Sequence, residues 1–441
     1  MASASLASLE RGQARSSVRA SLLWRAAAPA VLAGQILWFA LSYPQPVAYD
    51  AGQYFALSQR IQWWGPAPLL SDPGVRTYAY PAMIRLLHDG SPAWLYAVQA
   101  AALIGLMTAL RALLLPPEWR CDAALASLCL LLPVLPPYAI AMLSDLPGAA
   151  ALVGSMALAA AAWPGAGRRG PPSLLCMGGM LGIAVQLRPA YVHFAWAVLA
   201  ALAASAAWKI FATTPRRWSV LAGPAWAWAG FFLAAAPTIA ENARVGAGAG
   251  VLPREGMDRL AGYQLMLGLS LDRWSSNPPP FEKRDRVAED WRPRGWAILP
   301  IPPYPYPTVR DFWREVRRRP WEAAAQGVKH VYYAFEKREF FPYAGRLPPA
   351  WNVSAWCLNW VVLGLGVGGA ASTVRGGLGS PAGRLAALHL GLVAYLAATC
   401  ALTVAEERFT LAAYPGSLVF AAGWIATRLP RNGISGRGRA G

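Results

Sequence analysis

The sequence predicts an all-α, polytopic integral membrane protein with about ten transmembrane helices and further helices lying on its outer face. Three observations lead there. Of the 441 residues, 56% are hydrophobic and only 14% are charged, where an ordinary soluble chain carries about 25% charged residues. Several runs approach the ~20 apolar residues that cross a bilayer. The short segments between those runs also alternate in basicity, as the positive-inside rule requires.

The spans fall at about 23–42, 93–115, 123–143, 147–163, 174–188, 190–211, 219–240, 351–371, 385–404 and 410–427. With the N-terminus inside, the inner segments hold 17 bases, among them Arg168, Arg169, Arg216 and Arg217, against only Glu10, Glu118 and Asp122. The outer segments hold the other 23 bases and 19 acids. The formal net charge of +18 is therefore mostly an orientation signal, and nucleic acid is not needed to explain it. The first apolar run passes straight into aromatic sequence without a small-residue cleavage site, so it reads as a retained span. The Ala/Gly/Arg-heavy usage suggests a bacterial source. The expected location is the bacterial cytoplasmic membrane, multi-pass, with both termini cytoplasmic.

Three parts follow. Residues 1–240 form an N-terminal transmembrane module whose first outer loop is 43–92. Residues 241–350 form an extracytoplasmic Pro/Arg-rich helical segment, and 351–441 the last transmembrane helices and a basic cytoplasmic tail. The middle segment has stiff extended connectors, "NPPP" at 277–280 and "PIPPYPYP" at 300–307. After them two helices are expected, at about 308–319 and 320–337, the second opened by Pro320 at its first turn. Trp321, Ala324, Val328, Val331 and Phe335 recur at helical spacing, which fits a helix on the membrane surface or one packed on other outer segments. Four of the five cysteines lie in spans and none in the long outer segment, so no disulfide framework is expected there. No Cys/His cluster has metal-site spacing, and His193 and His389, within spans, read as packing residues.

The run 174–211 has inner, basic flanks on both sides, so it must cross twice, interrupted only by "LRPAY" at 187–191. About 14 apolar residues at ~1.5 Å each fall short of a ~30 Å core. Arg188 should then sit at or below the headgroups, where an arginine needs a partner.

Ionisable groups also close the outer ends of the other odd-numbered spans. Asp50 follows the first, Asp145 the third in "LSDLPG", Glu241 and Arg244 the seventh, and Glu406, Glu407 and Arg408 the ninth. A transporter would instead hold its charges near the midplane. Each residue alone has a plainer reading: Asp50 with Gln53 forms a capping box, Tyr49 with Tyr54 a staple beside it, and Asp145 a cap for the fourth span. Together they point to one site on the outer face. Asp50 shares a helix face with Tyr54, Leu57 and Ile61, and a carboxylate there can take a proton from a hydroxyl.

On these residues the chain resembles the polytopic GT-C glycosyltransferases, such as protein O-mannosyltransferases and lipid A aminoarabinose transferases. "YDAGQYFALSQRIQWWG" is similar to their first outer loop, and "YAYPAMIRLL" followed by Gln99 to their next loop and glutamine. "LSDLPGAAALVGSMAL", "LGIAVQLRPAYV", "APTIAENARVG" and "EERFTLAAYPGSLVFAAGW" resemble later outer span ends, in the same order. Ala51 follows Asp50 where many relatives have Asp-Glu, and Tyr78-Ala79-Tyr80-Pro81 stands where one branch has Lys-Pro-Pro.

The resemblance implies a GT-C-like fold and transfer of a sugar from a polyprenyl-phosphate donor to a lipid or glycan acceptor at the outer face. Asp50 would be the catalytic base and Arg188 would stabilise the leaving phosphate, helped by Arg244 or Arg408. Tyr54, Tyr80, Asp145 and Glu241 complete the expected substrate site. Membrane lipids are the surrounding partner. No cofactor is required, and a divalent cation is the alternative to a metal-free site. A flippase or exporter, a ligase of lipid-linked saccharides and a non-catalytic scaffold are the alternatives.

Overall fold

The computed structural model describes residues 23–43, 50–61, 76–88, 91–163, 171–212, 221–246, 248–270, 307–337, 349–403 and 406–429. The expected connectors at 277–280 and 300–306, Tyr49 of the staple, and the basic segments before residue 23 and after 429 lie outside them. The described residues are mostly helical, with no strand among them. Seven helical stretches are long and apolar enough to cross a membrane: Leu23–Ser42, Ala93–Leu114, Asp145–Ala162, Pro189–Ala212, Val353–Arg375, Pro381–Leu402 and Arg408–Arg428. The described part of the chain is thus all-helical and of polytopic membrane type.

In chain order the helices are α1 (Leu23–Ser42), α2 (Asp50–Gln59), α3 (Ala79–Leu87), α4 (Ala93–Leu114), α5 (Trp119–Leu131) and the single turn α6 (Pro136–Ala139). Then come α7 (Asp145–Ala162), α8 (Pro171–Leu187), α9 (Val192–Ala212), α10 (Ala222–Arg244) and α11 (Arg254–Ser270). The last are α12 (Val309–Arg318), α13 (Pro320–Phe335), α14 (Pro349–Arg375), α15 (Pro381–Leu402) and α16 (Tyr414–Arg428). Two 3-10 stretches, Pro189–Tyr191 and Glu407–Ala413, lead into α9 and α16.

Burial divides the spans. The windows of α1 and α4 are 22% and 28% buried, whereas Asp145–Ala162 and Arg408–Arg428 are 72% and 78% buried. The latter two are the centre of the bundle, and exposed apolar residues such as Leu37, Leu41, Trp94 and Leu233 face outward from helices around it. Helices α8 and α10 approach closely through Gly178 and Gly230. A Cβ on Gly178 would lie 1.8 Å from the Ala227 carbonyl oxygen, and one on Gly230 2.1 Å from that of Leu175. Small residues allow such backbone contact, which replaces the hydrophobic drive that is missing between helices in lipid.

The third expected span is corrected by the structure. Instead of one helix over 123–143, α5 stops at Leu131, and the chain runs through Leu132–Leu135 and the turn α6 before α7 begins at Asp145. Pro133, Pro136 and Pro137 explain the break, since proline removes a backbone donor and its ring clashes with the preceding turn. The freed carbonyls are met by glutamines from neighbouring spans. Gln35 Nε2 donates to Cys129 and Leu130 (3.1 Å each), and Gln99 Nε2 to Ala139 and Ala141 (3.0 Å each). Irregular backbone is tolerated in a membrane protein where protein satisfies it.

The two helices expected at about 308–319 and 320–337 are α12 and α13. The Thr308 hydroxyl accepts from the Asp311 amide, and the Asp311 carboxylate accepts from the Thr308 amide, a reciprocal cap written in the sequence T-x-x-D. Both helices sit at the end of the bundle where α15 finishes. Gly327 packs on the Ala401 carbonyl, and Ala334 clusters with Cys400.

Candidate functional site

Helix α2 is brought over the ends of α7 and α16 by the stretch 76–88. That stretch is anchored deep in the bundle: the Thr77 hydroxyl donates to the Gln186 carbonyl and Tyr78 OH to the Ala234 carbonyl at 2.6 Å. Gln186 is itself buried, accepting from Thr238 (2.6 Å) and donating to Val251 (2.8 Å). Arg76 and Arg188, flanking these anchors in sequence, are thereby fixed toward one another's surroundings. Gly148 leaves room for Arg188, since a Cβ there would sit 3.3 Å from the arginine Cβ.

Arg408 is the centre of the cluster. Its Nη2 lies 2.7 Å from Asp50 Oδ2, its Nη1 3.7 Å from Asp145 Oδ2 and its Nε 2.6 Å from Glu406 Oε1. The other Asp50 oxygen accepts from Arg76 Nη2 at 2.5 Å, and the other Asp145 oxygen is paired with Arg188 Nη1. Arg188 lies 4.8 Å from the Phe409 ring and Arg76 4.8 Å from that of Tyr54, both within cation–π range. Three guanidiniums and three carboxylates thus alternate in one partly enclosed network, with Asp145 only 1% exposed.

An aromatic wall lies beside the network. Tyr54 OH is 2.9 Å from Ser144 Oγ and accepts from Arg76 Nη1 at 3.2 Å. The Tyr54 and Tyr80 rings meet edge to face at 4.9 Å, and Tyr80 OH donates to Gln99 Oε1 at 3.0 Å. The glutamine that closes the broken third element also holds this tyrosine.

The electrostatics separate the carboxylates. Burial alone would raise the Asp50 carboxyl, but Arg408 and Arg76 outweigh it and hold the pKa at about 2. Burial pushes the Glu406 carboxyl up, Arg408 pulls against it, and nearby Asp145 and Asp50 add to the rise. Burial would lower the Arg76 guanidinium, yet Tyr54 and Asp50 raise it overall. Asp50 is therefore a firmly ionised anion, and Glu406 is the carboxyl in the cluster that binds a proton more readily than usual.

Of the residues expected from sequence, Asp50, Tyr54, Tyr80, Asp145, Arg188 and Arg408 are brought together. The capping reading of Asp50 is superseded, because guanidiniums take both of its oxygens and Gln53 Oε1 accepts from Arg76 at 3.0 Å. Glu241 and Arg244 stand apart. They pair with each other across one helical turn (2.9 and 3.1 Å), and no ion pair joins them to the cluster among the described residues. Arg76 and Ser144 were not expected. Arg76 lies in an aperiodic part of the first loop, and its only sequence signal is that it precedes the Tyr-Ala-Tyr-Pro stretch.

Among the described residues, no group of three or more His, Cys, Asp and Glu is placed to hold a metal ion; the three carboxylates here surround the Arg408 guanidinium. No family model matches the chain, and neither a curated protein nor a solved structure matches it.

Proposed function

We propose that this chain is a membrane glycosyltransferase of the GT-C kind, moving a sugar from a polyprenyl-phosphate donor to an acceptor at the extracytoplasmic face of a bacterial inner membrane. The observation that carries the reading is the single guanidinium of Arg408 shared by Asp50 of the first loop and Asp145 of α7. It supports one site built from the outer ends of distant spans. Counting the broken α5–α6 segment, α8 and α10 as crossings beside the seven apolar stretches gives ten, with both termini inside.

In this reading the acceptor oxygen attacks the anomeric carbon, and the bond from that carbon to the phosphate oxygen breaks. The electron pair leaves on the phosphate, where Arg188 and Arg408 stabilise it as an oxyanion clamp. The acceptor's proton passes to Asp50. At a pKa of about 2, Asp50 is a poor base while both arginines hold it, since general bases work best near the ambient pH. An incoming phosphate competes for Arg408, loosens that hold and makes Asp50 more basic as the donor binds. Tyr54 and Tyr80 are buried, 6% and 1% exposed, so they brace the loop behind the site and do not stack on the sugar, and Asp145 keeps Arg188 and Arg408 in place.

The test is release of polyprenyl phosphate from an envelope-lipid donor fraction by purified protein in nanodiscs. Asp50→Asn is expected to abolish release with the protein still folded. Unchanged release in that variant would sink the assignment. Transbilayer movement of the intact lipid-linked saccharide without release would favour a flippase.

A further inference from the structure

The outer helices α12 and α13 carry a surface that the site above does not use. On α13, Trp321, Ala324, Ala325, Val328 and Tyr332 are all exposed, Trp321 by 85% and Val328 by 73%. Their spacing places them on one side of the helix, and none of them is polar or charged apart from the tyrosine hydroxyl. Against water this would be an unusual face; against hydrocarbon it is the expected one. The sequence reading of that face is shifted slightly, because Phe335 turns inward and is 5% exposed.

The orientation of α13 agrees. Gly327 contacts Ala401, and Ala334, two turns further along, clusters with Cys400. Two points about 10 Å apart on α13 at ~1.5 Å per residue thus meet neighbouring residues of α15. The helix therefore runs across the end of the span instead of alongside it, as a helix lying in the plane of the bilayer surface would.

Helix α12 supplies the charge. Arg310, Trp313, Arg314 and Arg317 follow i, i+3, i+4, i+7 spacing, so they share one face, and all four are exposed. Arg314 pairs with Asp311, whereas Arg310 and Arg317 have no ion pair among the described residues. Over 307–337 there are seven bases and four acids. Trp313 also borders a cleft of about 350 Å³ between α11, α12, α13 and the end of α15, lined by Leu269, Phe312, Val316, Val331 and Leu402 among others. An apolar cleft beside exposed guanidiniums matches one kind of molecule, an amphiphile with an anionic head.

We infer that α12 and α13 form an interfacial binding site for an anionic glycerophospholipid. The α13 stripe lies in the acyl region, an acyl chain occupies the cleft, and Arg310 and Arg317 hold the phosphate. This rests on the membrane character of the chain and not on the transferase reading.

The experiment uses the full chain in nanodiscs of phosphatidylcholine containing about a third phosphatidylglycerol. Val328→Cys is spin-labelled after the exposed Cys176 and Cys357 are replaced by alanine. The label is expected to collide with oxygen and to be shielded from a water-soluble nickel chelate. In parallel, spin-labelled phosphatidylglycerol should be immobilised several-fold more than spin-labelled phosphatidylcholine. Arg310→Gln with Arg317→Gln should remove at least half of that preference, while the two lysine replacements keep it. A label open to the nickel chelate overturns the inference. So does a label shielded from both reagents, which would mean a second protein copy covers the stripe, and so does a lipid preference unchanged in the glutamine variant.

Discussion

Arg408 Nη2 lies 2.7 Å from Asp50 Oδ2 while Nε of the same guanidinium lies 2.6 Å from Glu406 Oε1. One side chain at the start of the last apolar helix therefore holds an acid at the start of α2 and an acid of its own loop. It also reaches Asp145 at the start of α7. Helix α2 is pinned to the bundle's most enclosed helices by charge, since it contributes few other buried groups: Ala51, Tyr54 and Ser58.

Arg408→Ala is accordingly expected to be the most destabilising change in the cluster. It leaves Glu406 and Asp145, 5% and 1% exposed, short of their shared cation, and breaking a buried pair from one side costs about 3–5 kcal/mol. Arg76→Ala should cost less, because Arg76 and Asp50 are 25% and 20% exposed and Asp50 keeps Arg408. Thermal unfolding in detergent checks the order. Combining Arg408→Ala with Glu406→Gln should be milder than the sum of the two, because the second change removes an orphaned charge.

The two acids should give stability opposite pH dependences. The Asp50 carboxyl, normally near 3.8, is held at about 2, so its contribution is present above 3.8 and is lost as pH falls toward 2. It is worth on the order of 2 kcal/mol. Glu406 is raised above its usual 4.5, so its contribution is complete below 4.5 and is lost as pH rises through the raised value. Melting temperatures measured from pH 3 to 8 should lose the acid-side slope in Asp50→Asn and the upper slope in Glu406→Gln. Parallel curves for both variants and the parent would contradict the assignments.

Much of this site was legible because charge is rare in an apolar chain. Asp50, Asp145, Arg188 and Arg408 stand out where spans end, and the need of Arg188 for a partner, met by Asp145, follows from its depth alone. Glu241 and Arg244 met the same criterion and stand outside the cluster, because an i, i+3 pair can satisfy itself on its own helix. Arg76 was invisible to the criterion, since it sits mid-loop and is placed by the Thr77 and Tyr78 anchors to α8 and α10. The break after α5 had its signal in Pro133, Pro136 and Pro137, but the run around them is apolar enough to imitate a continuous span. What decides the matter is Gln35 and Gln99 on other helices, a long-range fact that no local pattern contains.

Gly178→Val should separate α8 from α10. The Ala227 carbonyl would lie 1.8 Å from the new Cβ and cannot move as a flexible side chain would. Overpacking costs about 1–3 kcal/mol in ordinary cores, and a backbone contact puts this change at the upper end or beyond. Because Gln186 at the end of α8 holds both Thr77 and Thr238, the displacement should reach Arg76 and Arg188. The expected outcome is a lower melting temperature together with loss of the polyprenyl phosphate release proposed above. Gly105→Val is the control, since nothing lies within 4 Å of a Cβ at Gly105, and it should leave both unchanged.

Gln99→Leu tests how the broken third element and the aromatic wall depend on each other. Leucine fills similar space but cannot donate, so the Ala139 and Ala141 carbonyls lose their 3.0 Å contacts and the Tyr80 hydroxyl loses its acceptor. Each buried polar group left unsatisfied costs about 1–3 kcal/mol, so the variant should unfold at a markedly lower temperature. Adding Tyr80→Phe should cost little more, because the hydroxyl it removes is already without its acceptor. Tyr80→Phe alone should cost about 1 kcal/mol, since Gln99 keeps both carbonyls. A double variant as destabilised as the sum of the singles would show that Tyr80 and Gln99 act independently, and the wall beside Asp50 would then owe its position to the Tyr54 contact alone.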